Sequence, residues 1–147
     1  MIGDALLLFS DAQAITATAA STSSIDLSVA RDIGVGEELY LVVTVDTAFT
    51  DSGSDSTVTV DIEYDTSTTF TPDQTQRVGV FGALTAAGSK LIARIQPNQN
   101  ATYPLGLRYA QLKYTVANGN LTTGAVTAQI VKNIDAYASY PKGYTIS

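Results

Sequence analysis

Apolar and polar residues alternate with period two along much of this chain, the pattern of a strand with one buried face. In segment 57–64, Val58, Val60, Ile62 and Tyr64 fall on one side, and Thr57, Thr59, Asp61 and Glu63 on the other. Segment 107–116 divides likewise, with Arg108, Ala110, Leu112, Tyr114 and Val116 against Leu107, Tyr109, Gln111, Lys113 and Thr115. Segment 124–132 sets Val126, Ala128 and Ile130 against Thr127, Gln129 and Val131. Shorter strands are predicted at Ile25–Val29, at 77–82 around Val78, Val80 and Phe81, and at 89–95 around Leu91, Ala93 and Ile95. Segment 38–46 differs. Leu39, Leu41, Val43 and Val45 share one face, but Tyr40 and Val42 make the other face partly apolar as well. That spacing predicts a central strand, or one whose second face is covered.

Turn chemistry separates these segments. Thr50–Ser56 is a Gly/Asp/Ser loop, 65–76 is a long polar connection with Pro72, 96–104 carries two prolines, and Asn118-Gly119-Asn120 is a short turn. Phe70 is expected to fold back onto the core. No segment shows a helical stripe. Residues 4–20 are the least defined, because alanine favours helix there; within 12–20, Ile15 is the single large apolar side chain. Seven or eight strands at this spacing predict one all-β domain, a sandwich or a barrel.

Composition narrows the chemistry. The 147 residues include no Cys, His or Trp. Disulfides, thiolate zinc sites, cysteine nucleophiles and imidazole bases are excluded. Charged residues make up 15%, below the roughly 25% of an average domain. The surface is instead rich in Thr 20 and Ser 12, a composition suited to strands and to lying against other proteins. Ala5–Phe9 lacks the basic flank and the length of a secretory signal, and no apolar run approaches a membrane span. The expectation is a soluble protein made in a reducing cytoplasm.

Charge is unevenly distributed. Residues 1–73 hold 13 acids and one base, whereas 74–147 hold seven bases and one acid. Either the two halves interleave in space and neutralise each other, or Arg77, Lys90, Arg94, Arg108, Lys113, Lys132 and Lys142 form one positive face that steers docking.

Candidate chemistry is sparse. Asp51-Ser52-Gly53-Ser54-Asp55 offers oxygens to a cation, but the carboxylate series of a calcium loop does not continue past it, and a plain turn is the simpler reading. Gly34-Val35-Gly36 lacks the Lys-Ser/Thr of a phosphate loop. Asp61 and Glu63, two apart on a strand and so about 7 Å apart, meet the spacing of a carboxylate pair, yet outward acids on a half-buried strand usually serve solvation. Arg108-Tyr109 and Lys113-Tyr114 resemble nucleic-acid platforms in miniature, but the net charge is -6. Tyr137, Tyr140 and Tyr144 in the tail carry enough aromatic area to need a packing surface, on the chain itself or on a partner.

The opening Ile2-Gly3-Asp4-Ala5-Leu6-Leu7-Leu8-Phe9-Ser10-Asp11-Ala12-Gln13-Ala14-Ile15-Thr16 is similar to that of the small capsid cement proteins of tailed bacteriophages, the family that includes the cement protein of a Bordetella phage. Ser21-Thr22, Ile25-Asp26-Leu27 and Gly34-Val35-Gly36-Glu37-Glu38-Leu39-Tyr40 fit the same family, as do Arg108–Tyr114 and Thr123–Ala128. The resemblance spans nearly the whole chain.

It implies a jelly-roll-like antiparallel β-sandwich, a single domain over 1–147, with 1–20 and 133–147 extended as interface arms. It implies attachment to the outside of an HK97-type icosahedral shell, bridging neighbouring major capsid proteins and stabilising the head. Self-association is implied too, a homodimer favoured over a homotrimer. No cofactor, catalytic site, nucleic acid or membrane is implied. The protein would be made in the host cytoplasm and reside on the virion's outer surface. Candidate interface residues are Leu6, Phe9, Tyr40, Arg94, Arg108, Lys113, Tyr137, Tyr140 and Tyr144. Competing functions are a receptor-binding or adhesin-like β-module, a carboxylate hydrolase, and a β-domain with no specialised partner.

Overall fold

Strict alternation produces strands that bury one face, and two such faces must meet. The computed structural model describes residues 7–26, 39–72, 74–95 and 108–131. Within them lie β1 (Leu8–Ala14), β2 (Ala19–Ala20), β3 (Ile25–Asp26), β4 (Tyr40–Thr50), β5 (Thr57–Asp65), β6 (Gln74–Gly82), β7 (Lys90–Arg94), β8 (Tyr109–Ala117) and β9 (Thr123–Val131). One sheet runs β1-β9-β4-β7; the other runs β2-β8-β5-β6, with β3 also pairing β8. Every pairing is antiparallel. The architecture is an all-β sandwich of two sheets.

The strongest patterns fold as expected. β5, β8 and β9 turn the anticipated residues inward, and Val58, Val60, Leu112, Tyr114, Val126 and Ala128 are fully buried. β4 is longer than its pattern, reaching Thr50 and carrying Phe49 into the core. Strand β6 begins at Gln74, inside the segment expected to be a connection, and Phe70 is half-buried. The predicted strand residues Leu27–Val29 and the loop at 96–104 lie outside the described residues. Segment 12–20 is neither helix nor one strand: β1 ends at Ala14 and β2 follows after a four-residue crossing. Residues 8–20, part of the expected interface arm, contribute β1, an edge strand, and β2 to the sandwich.

Gln13 holds that crossing. Its Oε1 accepts from Ser10 Oγ at 2.7 Å and from Thr22 N and Oγ1 at 2.9 Å, while Nε2 donates to Ala20 O at 2.8 Å. Because Ser10 gives its proton to Gln13, the Tyr114 hydroxyl donates to Ser10 Oγ at 2.8 Å. Ser10 is buried, and Tyr114, with its phenol pushed up to about 12 by burial, sits in the opposite sheet. The network therefore ties one sheet to the other at their shared side. Ser23 N donating to Phe9 O at 2.9 Å adds a backbone link there.

Close packing singles out Gly124. A methyl group there would overlap the Phe49 ring, which is itself set edge-to-face on Phe81 at 5.6 Å. Gly124→Ala is expected to cost about 1–3 kcal/mol by overpacking. Gly82→Ala, which meets nothing within 4 Å, should be nearly neutral. Thermal melts of the two variants check this. Tyr114→Phe should lose about 1 kcal/mol. Gln13→Leu, which removes the whole clip, should lower the melting temperature further.

Candidate interface and the two ends of the sandwich

The register gives the sandwich two unlike ends. At one end short connections join the sheets: 15–18, 51–56, 83–89 and 118–122. Asn118 and Gly119 both have positive φ, as a tight turn requires, and Ser56 Oγ donates to Gly119 O at 3.2 Å. Asp51 organises the neighbouring loop. Its Oδ2 accepts from Ser56 N at 3.1 Å and Asp55 N at 3.2 Å. The Ser56 side chain first, then the backbone donors, hold this carboxyl at about 2. Asp51 thus works inside the loop, and no group of three or more His, Cys, Asp or Glu with metal-site geometry occurs among the described residues.

The other end is where β3 and β7 lead into the long connections, where β1 begins and where β9 stops. Tyr40 pairs across strands with both Arg94 and Val131 there. Arg108 lies at the same end of the other sheet, just before Tyr109, which pairs with Asp26 and Asp65. Three of the sequence-based candidates, Tyr40, Arg94 and Arg108, are therefore gathered at one end by the topology. Lys113 is mid-sheet on the outer face, opposite Asp61. Phe9 is a correction: it is 0% exposed in the core between the sheets and offers no surface to a partner. Its position in β1 alternates inward, and a bulky aromatic fills that space. Leu6, Tyr137, Tyr140 and Tyr144 lie outside the described residues.

Charge at this end is paired. Arg108 grips Asp26 in a fork, Nε to Oδ1 at 2.7 Å and Nη2 to Oδ2 at 2.8 Å, and its guanidinium lies 5.1 Å from the Tyr109 ring centre. The hydrogen bond to Asp26 raises the Arg108 pKa further. On the outer face of the β2-β8-β5-β6 sheet, Arg77 Nε meets Asp61 at 2.7 Å. Gln111 donates to Glu63 at 2.8 Å. The acidic strand β5 thus lies between β6 and β8, which carry bases of the second half. Interleaving, rather than one positive face, describes these residues, and Asp61 and Glu63 are engaged in a surface lattice.

Sequence reasoning missed Asp65. It ends β5, is buried, and accepts from Ser67 N at 2.9 Å and Thr71 N at 2.7 Å. The Ser67 backbone bond is the main reason its pKa is lowered. An acid at a strand's end followed by Thr-Ser-Thr-Thr is a loop-capping signal that alternation alone does not reveal.

The sandwich coincides with a known family. The Bbp16 family model matches residues 9–130, from the first strand to the last. The chain belongs to the Bbp16 family. This is the family of the Bordetella phage cement protein that the sequence motifs resemble. No curated protein matches the chain. As a Bbp16 protein it is a capsid decoration protein of a bacteriophage, a structural cement of the virion and not an enzyme.

The two loop carboxylates carry a pH prediction. Both have pKa values below the unfolded carboxylate value of about 4. Their stabilisation is complete above that value and is lost as pH falls through the folded pKa, about 2 for Asp51. Urea midpoints measured from neutral pH downward should therefore fall below about pH 4. Asp51→Asn combined with Asp65→Asn should be less stable at neutral pH and show a flatter decline. An unchanged slope would reject this assignment.

Proposed function

We propose that this cement protein sits on the outer surface of an HK97-type shell and bridges neighbouring major capsid proteins, acting as a homo-oligomer with a dimer favoured. We further read its sandwich as a jelly roll. The support is the strand order: β1, β4, β7 and β9 fall in one sheet and β2, β3, β5, β6 and β8 in the other, with the chain crossing repeatedly between them. Both sheets are continuous across sequence-distant strands, as a clamp under tension requires.

The observation that carries the docking reading is the asymmetry of the two ends. Tyr40, Arg94 and Arg108 lie at the end where β1 begins and β9 stops. This end, with the terminal segments, is the proposed contact with the shell. Contact there works through area and fit, since Arg108 already has an acidic partner. A joint bridged by a clamp opens only if the clamp's interface is exposed too. A standard interface buries about 1,600 Å². Many symmetry-related copies then act together.

Two measurements test the reading. Chain counting in purified particles should give this protein in a simple ratio to the major capsid protein; a few copies per particle would favour a receptor-binding role instead. Adding the protein to depleted shells should raise their rupture temperature. Tyr40→Ala with Arg94→Glu should reduce occupancy, while Ser54→Glu at the opposite end should not. Loss from the Ser54 variant alone would move the contact to the short-turn end and reject the reading.

A further inference from the structure

Residues 118–122 join β8 to β9, and they open with Asn118-Gly119. The other four asparagines, Asn98, Asn100, Asn120 and Asn133, precede Gln, Ala, Leu and Ile. The difference is chemical. The backbone nitrogen after an asparagine can attack that asparagine's side-chain amide, and a side chain on the attacking residue obstructs the approach. Glycine has none. Both Asn118 and Gly119 are exposed, so water and base reach them.

The turn opposes this reaction. φ is 64° at Asn118 and 109° at Gly119, the two positive values of a type I′ turn. The first central residue of such a turn has a small positive ψ, which puts Gly119 N on the far side of the Cα–C bond from the Asn118 Cβ. Ring closure needs the two on the same side. The peptide between Asn118 and Gly119 must therefore turn over first. Two contacts resist that. Asn118 Nδ2 donates to Asp55 O at 3.3 Å, which holds the side chain on the neighbouring loop. The buried Ser56 shares its hydroxyl proton between Gly119 O at 3.2 Å and Asn118 O at 3.5 Å, clasping the two peptide groups of the turn.

We propose that Asn118 is a site of spontaneous deamidation, and that Ser56 is the latch that restrains it. When the turn opens, Gly119 N gives its proton to solvent and bonds to Asn118 Cγ. The Cγ–Nδ2 bond breaks, and Nδ2 takes a proton from water and leaves as ammonia. The five-membered imide then adds one water molecule. Breaking the new bond from Cγ to Gly119 N yields aspartate; breaking the original peptide bond yields isoaspartate. The turn is a sensitive place for either product, because it joins the two strands that are inserted into the two sheets. Aspartate removes the amide that Asp55 O accepts from and adds a carboxylate beside the Asp51–Asp55 loop. Isoaspartate routes the main chain through Cβ and Cγ and so lengthens the turn. The inference stands on the turn itself and does not depend on the capsid reading.

The test holds the full chain in mildly alkaline buffer, folded and in urea, and follows the Asn118 peptide by mass spectrometry and by separation of its aspartate and isoaspartate forms. In urea Asn118 should convert faster than the other four asparagines. In the folded chain it should convert severalfold more slowly than in urea. Ser56→Ala, and Ser56→Cys as a variant that keeps more of the side-chain volume, should each speed the folded-state reaction severalfold. Tyr114→Phe, which loosens the tie between the sheets and leaves the turn intact, should not. Chains that carry isoaspartate should melt at a lower temperature than fresh ones. Equal rates folded and in urea would overturn the proposal, as would a chain whose Asn118 does not convert in urea. An unchanged rate in both Ser56 variants, or the same acceleration from Tyr114→Phe, would remove Ser56 as the latch and overturn it as well.

Discussion

The fold depends on its last two strands. β8 and β9 follow one another in sequence but enter different sheets, and each is inserted between strands from earlier in the chain. β9 lies between β1 and β4; β8 lies between β5 on one side and β2 and β3 on the other. Without these two strands both sheets would split, and β1, β2 and β3 would have no strand partner among the described residues. The two sheets therefore assemble around contacts that close very long loops. Such contacts are slow to form. Once formed they make the sandwich a single mechanical unit, because pulling on either terminus loads a strand held in register by the end of the chain.

Strands are legible in the sequence where one face is polar. Segments 57–65, 109–117 and 123–131 show clean alternation, and their ends differ from the pattern by only a residue or two. Two short-range signals mislead. Around residues 12–20 alanine suggests helix, but there the chain must cross between sheets, and Gln13 rather than alanine decides the path through four hydrogen bonds. Near residue 74 the polar run Gln-Thr-Gln looks like loop; it is an edge strand, whose outward residues face solvent and need no apolar pattern. Residue type alone marks Phe9 as an interface candidate, although its alternation position is inward. Tyr40, Arg94 and Arg108 come together through topology, which residue type does not encode.

Charge illustrates the same limit. Along the sequence the two halves look like opposite poles, with 13 acids in residues 1–73 and seven bases in residues 74–147. Antiparallel pairing turns that segregation into local neutralisation, because the acidic β5 is flanked by β6 and β8. Exposed pairs of this kind add little stability. On the β2-β8-β5-β6 sheet they leave an outer face of threonines and paired charges.

A clamp needs stiffness in its body, and the topology of this chain supplies it. The short connections, the Asp51 loop anchor and the Ser10–Gln13–Tyr114 tie lie in the body, where buried Ser10 and Ser56 each have hydrogen-bond partners. β1 begins and β9 stops at the end opposite the short turns. Stiffness follows from the inserted strands β8 and β9 and from the closed turn end. A chain without disulfides or a catalytic group can therefore act as a purely mechanical element. Its polar side chains fix register, and its function is expressed through contact area.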